Sequence, residues 1–296
     1  MRLVDSHCHL NYDYSPKDEA QLLAEAAAAG VSALVTIGTE MGTLEQIAAI
    51  SARHPHIYHT VGVHPHEAGT VKPEDIQTLR VASRHPKCRG IGEIGLDYHY
   101  DHSPREIQRA VLDQQLALAL ELRLPVVIHS RDAEEDLLAS LTRYAEGVRA
   151  ESAGGSAAAG NGLGAGTGGT IGVGAVAGAG LIDGARTPGI IHCFSGTQAF
   201  GEACIALGFY ISFSGILTFK TAEDLRTCAR IFPLDRLLVE TDSPYLAPIP
   251  FRGRKCEPSM VKLTAQKIAD LKGLTLEEVA QATTRNAERA FGIVVG

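Results

Sequence analysis

The chain has 296 residues, 45% of them hydrophobic and 21% charged, with a net charge of -7. That balance is ordinary for a soluble globular enzyme, and the length suits one large domain with a buried core. The acidic surplus excludes a protein that coats nucleic acid non-specifically, which needs a basic surface, but not one that grips one or two phosphates locally.

Six cysteines, Cys8, Cys88, Cys193, Cys204, Cys228 and Cys256, are scattered without a C-x-x-C pair. They read as reduced thiols of a cytosolic protein. The first residues form a strand-like run with no basic segment and apolar core before it, so no signal peptide is expected. No run of about 18 apolar residues is present, so no membrane span is expected either. The expected location is cytoplasmic.

Along the chain, short β-rich runs recur, each followed by a helical stretch. The runs are Leu3 and Val4, Ala33 to Ile37, Ile57 to Val61, Arg89 to Ile94, Val126 to Ile128, Gly189 to Ile191, Phe209 to Ile211, and Leu237 to Glu240. Several are nearly continuous apolar stretches, as parallel strands covered on both faces require. The first helix, from about Pro16, ends at Gly30, a plausible C-terminal glycine. Ser103-Pro-Arg-Glu106 has the pattern of a capping box opening a helix whose buried face carries Ile107, Val111, Leu118 and Leu122. A further helix is expected over residues 133 to 145. Thr275 with Glu278 predicts a capping box for the last helix. Eight strand–helix units predict an α/β fold, a closed (β/α)₈ TIM barrel formed as a single domain over residues 1–296. A doubly wound open sheet fits less well, because no Gly-rich dinucleotide loop follows the first strand.

Residues 151 to 184 break the pattern, being dominated by glycine, alanine and serine. They read as a flexible low-complexity insertion between helix 5 and strand 6, at the barrel end opposite the expected site. Ile171, Val173, Val176 and Leu181 leave a partner-binding role open.

Catalytic groups of such barrels sit where strands end. His7 and His9 follow strand one, His64 follows strand three, and Glu93 lies at strand four. His129 ends strand five, His192 ends strand six, and Asp242 follows strand eight. Side chains two apart on an extended chain face the same way, so His7 and His9 can meet one cation. Taken singly, each histidine could be a hydrogen-bonded core residue, Glu93 an ion-pair partner and Asp242 a turn residue. Their conjunction at the strand ends of one barrel points to metal. Imidazole with carboxylate suits zinc, manganese, nickel or iron(II), holds magnesium weakly, and is too nitrogen-rich for calcium. Glu93 has two oxygens with which to bridge two cations, and Asp242 is both a ligand and a candidate general base.

At these residues the sequence resembles the TatD family of metal-dependent deoxyribonucleases, within the amidohydrolase-like barrels. The matching blocks are Asp5-Ser-His-Cys-His-Leu10, Gly62-Val-His-Pro-His66, Gly92-Glu-Ile-Gly-Leu-Asp-Tyr98, Pro125-Val-Val-Ile-His-Ser-Arg-Asp132, Ile191-His-Cys-Phe-Ser-Gly196 and Glu240-Thr-Asp-Ser-Pro-Tyr245. They span almost the whole chain outside the insertion. The resemblance implies two divalent metal cations, Mg, Mn or Zn. His7, His9, Glu93 and Asp242 would hold the first, and Glu93, His129 and His192 the second. His64 is similar to the family histidine that meets the scissile phosphate. Asp5, His66, Asp97 and Glu240 match the pattern in supporting roles. The chain departs from the family at Cys256, where asparagine is usual, which touches a local hydrogen bond rather than the metal site. In the same loop Arg252, Arg254 and Lys255 are candidates for substrate phosphates, with a solvated basic loop as the plainer reading.

The implied activity is 3′-to-5′ exonuclease action on single-stranded DNA, with RNA as a further substrate and repair of damaged ends as its setting. The catalytic residues would be Asp242, His64 and Glu93. The expected partners are single-stranded ends as substrate, with no membrane, no obligate protein partner and a monomeric state. An amide, lactone or ester hydrolase, such as an aminoacyl-tRNA deacylase, uses the same metal pair and stays open. A non-enzymatic scaffold is the distant alternative, disfavoured because all six ligands are present.

Overall fold

In the strands, side chains on both faces are apolar, and both faces are covered. All six residues of β1 (Leu3–Cys8) are buried, and nine of the ten residues of β4 (Cys88–Asp97) are. The computed structural model describes residues 1–158, 181–182 and 185–295. With β2 (Val31–Thr36), β3 (Ile57–Val61), β5 (Val126–Arg131), β6 (Gly189–Ile191), β7 (Tyr210–Phe213) and β8 (Leu237–Val239), these strands form one eight-stranded sheet in chain order. Each neighbouring pair from β1 to β8 is parallel. The remaining seam, β8 to β1, is stitched at its carboxyl end. Cys8 bridges Ser243, the His9 amide donates to the Ser243 carbonyl at 2.9 Å, and the Asp242 amide donates to the His7 carbonyl at 2.9 Å. Asp5 accepts from the Thr241 amide and hydroxyl across the same seam at 2.9 and 2.6 Å. The expected (β/α)₈ barrel is the fold observed.

The helices are α1 (Glu19–Ala28), α2 (Leu44–Arg53), α3 (Asp75–Ala82), α4 (Arg105–Leu122), α5 (Glu134–Ala158), α6 (Gln198–Leu207), α7 (Glu223–Ile231), α8 (Val261–Lys272) and α9 (Leu276–Phe291). One core fills the space between sheet and helices. A second fills the barrel itself. There Val4, Val35, Val127, Tyr210 and Leu238 pack against Phe291, Ile293 and Val295 of the C-terminal segment, which closes the base. Among the described residues this packing fills the base of the barrel.

Several local expectations hold. Helix α1 ends into Gly30, whose φ of 94° is open to glycine at little steric cost. Helix α9 opens on the Thr275–Glu278 capping box. Others need correction. Helix α4 starts after Pro104 with no side-chain cap. The Ser103 hydroxyl is instead engaged by the loop after β3, donating to the His66 carbonyl at 2.8 Å and accepting from the Gly69 amide at 2.9 Å. Ile107 is exposed; the buried face of α4 carries Gln108, Val111, Leu112, Gln115, Leu116, Leu118 and Ala119. Helix α5 runs past residue 145 to Ala158, so the Gly/Ala-rich segment begins as helix. Two short antiparallel strands, Leu181–Ile182 and Ala185–Arg186, precede β6. Most of the segment, including Ile171, Val173 and Val176, lies outside the described residues. No helix among the described residues is long and apolar enough to cross a membrane, and all six cysteines are free thiols.

Candidate active site

The pairing of β4 with β5 runs past Ile94 and Ile128 to Asp97 and Arg131, so these two strands project furthest into the mouth. They carry Glu93 and His129. Gly95, with φ of 151°, lets them approach, since a Cβ there would run into the His129 carbonyl. His7 lies within β1, His64 and His192 follow β3 and β6, and Asp242 follows β8. Asp242 and Cys193 turn the chain out of the barrel through positive φ values of 55° and 43°. All six predicted metal-binding residues, and His64, converge at one point.

Around His7 Nε2 stand His9 Nε2 at 3.3 Å, Glu93 Oε2 at 3.4 Å and Asp242 Oδ1 at 3.6 Å; His9 Nε2 and Asp242 Oδ1 are 3.3 Å apart. A tetrahedron of ligands about 2.0–2.1 Å from a cation has edges of about 3.3–3.4 Å. His7, His9 and Asp242, whose ligand atoms all lie within 4.8 Å of one another, could therefore hold one divalent cation, with Glu93 Oε2 beside His7.

The other Glu93 oxygen, Oε1, meets His192 Nε2 at 2.7 Å, His129 Nδ1 at 2.9 Å and His64 Nε2 at 3.3 Å. Second hydrogen bonds define which nitrogen of each ring offers a lone pair. Asp97 Oδ2 lies 3.1 Å from His129 Nε2, and Glu240 Oε1 lies 3.3 Å from His192 Nδ1. With a cation bound, each carboxylate would take the N–H of its imidazole and free the opposite nitrogen, which here hydrogen-bonds Glu93, to act as a ligand. His64 is arranged the other way. Its Nδ1 accepts from the His66 amide at 3.1 Å, which leaves the proton on Nε2 and makes that atom a donor into the site. Burial holds the His64 imidazole down to about 4, so it is neutral near pH 7. Glu93, His129 and His64 form a second group whose ligand atoms lie within 4.8 Å of one another, with His192 also against Glu93 Oε1, and the His64 N–H could equally meet an anionic oxygen.

Burial works against charge on Glu93. The positive charge on His192, with the hydrogen bond from His129, outweighs it and holds the carboxyl well below its usual range. Asp97 is shared, since His66 Nε2 also lies 2.9 Å from Oδ2. Glu240 further accepts from the Cys193 amide at 2.7 Å.

Two supports went unnoticed in the sequence. Gln115 on α4 accepts from the Val63 amide at 2.8 Å and donates to its carbonyl at 3.1 Å, fixing the residue before His64. Gln108 does the same for Asp97, at 2.8 and 3.0 Å. The signal was there: two glutamines seven residues apart fall on the apolar stripe of α4, where a solvated side chain does not belong.

The site floors a cavity of about 1330 Å³. Arg252, Arg254 and Lys255 do not line it. Arg252 lies over the Phe219 ring at 4.2 Å, Lys255 is tied to the Asp13 carboxylate at 2.7 Å, and Arg254 faces a smaller cavity beside α1. The arginine in the main cavity is Arg131. Cys256 is buried, its thiol reaching only a weak 3.8 Å contact with the Thr241 carbonyl, and it touches none of the metal-facing atoms described above.

A parallel barrel with imidazoles and carboxylates gathered at its open end defines a metal-dependent hydrolase. The family model for TatD related DNase matches residues 4–292. An uncharacterized metal-dependent hydrolase of Bacillus subtilis, YabD, is 38% identical over 98% of this chain and 99% of its own length. The 3′-5′ ssDNA/RNA exonuclease TatD of Erwinia tasmaniensis is 31% identical over 98% and 100%. The crystal structure of YjjV, a TatD homologue from Escherichia coli, superposes with a TM-score of 0.81 at 27% identity, covering 99% of each chain. The chain belongs to the TatD family of metal-dependent hydrolases.

Proposed function

We propose that the chain hydrolyses phosphodiester bonds, trimming single-stranded DNA and RNA from the 3′ end. The observation that carries this reading is the division of labour around Glu93: one oxygen faces the His7, His9 and Asp242 group, the other faces His129 and His192, and the His64 N–H donor stands beside it. In this reading His7, His9, Glu93 and Asp242 hold one divalent cation, and Glu93, His129 and His192 a second. Such cations neutralise phosphoryl charge and acidify water toward neutral pH. The protein's own groups do the rest. His64 donates Nε2–H to a non-bridging phosphate oxygen, Asp242 takes the proton of the attacking water, and the bond from phosphorus to the leaving oxygen breaks with its electron pair on that oxygen, which then takes the proton from Asp242. Asp97 and Glu240 keep His129 and His192 in the ligating tautomer. The exonuclease activity for which the Erwinia relative is named supports this substrate. Unpaired, mostly buried cysteines suit a reducing cytoplasm, where a monomer would act on DNA ends during repair.

The acidic rim favours a second reading. Glu40, Glu67 and Asp224 line the cavity and would welcome a substrate ammonium, as on an aminoacyl ester of transfer RNA. Parallel turnover of a single-stranded oligonucleotide, a lactone and an aminoacyl-tRNA under one metal condition separates the two. Cleavage of the oligonucleotide alone supports the nuclease; cleavage of the esters alone assigns the chain to ester hydrolysis.

A further inference from the structure

The charge around the cavity is lopsided. Beyond the metal-facing residues, Glu40, Glu67 and Asp224 line it without an ion pair among the described residues, while the one arginine in the lining is Arg131. Arg131 has no acidic partner among the described residues. Its guanidinium lies over the Tyr100 ring at 4.8 Å, and Tyr100 is 51% exposed although it lines the same cavity.

Both are rigidly placed. Arg131 ends β5 opposite Asp97, and its carbonyl accepts from the Tyr98 amide at 2.9 Å. Tyr100 follows in a turn closed by its amide on Asp97 Oδ1 at 2.9 Å. Arg131 is two residues beyond His129 on one strand, so both side chains leave the same face, with Arg131 about 6.6 Å further out. An unpaired guanidinium stacked on a half-exposed ring has the chemistry of a nucleotide subsite: the cation for a phosphate, the aromatic face for a base.

Resting on the phosphodiesterase reading above, we propose that Arg131 and Tyr100 bind the nucleotide adjoining the scissile phosphodiester. Arg131 takes the neighbouring phosphate and the exposed part of Tyr100 takes the base. The acidic rim ends recognition there, so the enzyme reads a terminal two or three nucleotides rather than a long strand.

The test uses the metal-loaded full chain with four probes: bis(4-nitrophenyl) phosphate, a thymidine dinucleotide with one phosphodiester, the trinucleotide with two, and a 20-residue strand. Arg131→Ala is expected to lower kcat/KM on the trinucleotide about tenfold to a hundredfold, with Arg131→Lys between it and wild type. Tyr100→Ala is expected to lower both oligonucleotides about tenfold, and Tyr100→Phe to match wild type. Neither alanine variant should alter bis(4-nitrophenyl) phosphate turnover or metal content by more than about twofold, since both side chains lie outside the metal groups. The 20-residue strand should be cleaved no better per end than the trinucleotide. Equal losses on all four probes, unchanged oligonucleotide cleavage in Arg131→Ala, or a tenfold gain with the long strand would each overturn the proposal and leave the nuclease reading intact. If wild type turns over bis(4-nitrophenyl) phosphate but no oligonucleotide, the nuclease reading itself fails.

Discussion

Gln115 provides a test of how the outer helices set the site. Its amide is 1% exposed and makes two hydrogen bonds to Val63, itself 1% exposed. Replacing it with leucine keeps the volume roughly constant but strands the Val63 N–H and carbonyl where water cannot reach them. Each orphaned group costs about 1–3 kcal/mol. Gln115→Leu should therefore lose about 2–5 kcal/mol, rather than gain from the added apolar surface. Urea unfolding with EDTA present removes the contribution of bound metal and reads the difference directly. A second consequence is kinetic. Val63 precedes His64, so kcat should fall several-fold in the refolded variant while metal content is unchanged. A stability loss below about 0.5 kcal/mol, or wild-type kcat, would refute the argument that this clamp positions His64.

Other consequences follow from single residues. Gly95→Ala would drive a Cβ into the His129 carbonyl between β4 and β5; a loss above about 3 kcal/mol and of bound metal is expected, read by thermal unfolding and metal analysis. Burial holds His59 down to about 3, with its Nδ1 2.7 Å from Ser51 Oγ. The unfolded chain takes up this proton near pH 6.5 and the native state does not. Stability is therefore full above pH 6.5 and falls by up to about 1.4 kcal/mol per pH unit as the pH drops toward 4, a slope that His59→Gln should flatten in urea titrations. Saturating the site with Zn²⁺ or Mn²⁺ at about 1,000 times Kd should stabilise the fold by about 4 kcal/mol over the EDTA-treated protein, and Glu93→Gln should abolish most of that gain. Deleting residues 151–184 should leave kcat unchanged. The flanks on either side, the end of α5 and the amino end of β6, lie at the end of the strands opposite the mouth.

The clustering of the site's histidines and carboxylates was legible because they obey two periodicities at once: the two-residue alternation that aligns His7 with His9, and the recurrence of polar residues where apolar strand runs stop. Gln108 and Gln115 were marked only by lying on the apolar stripe of α4, and the sequence did not show that their partners are the backbone groups of Asp97 and Val63. The Ser103 cap failed because a nearby loop outbid the helix amides for one hydroxyl. Arg252, Arg254 and Lys255 drew notice as a cluster in the sequence, but Asp13 and Phe219, distant in the chain, occupy two of them. Arg131 stood alone in sequence and gained meaning only when the long β4–β5 pair carried it, with Tyr100, to the rim. The positive φ of Asp242, which turns the chain out of the barrel, leaves no trace in composition.

The most direct test of the account is hydrolysis of a 5′-labelled single-stranded oligonucleotide by the purified chain, with Mg²⁺, Mn²⁺ or EDTA and with Glu93→Ala alongside. The account predicts a ladder shortening from the 3′ end that needs the metal and vanishes in the variant. An intact oligonucleotide after incubation with folded, metal-loaded protein, or a ladder that persists in Glu93→Ala, would contradict it.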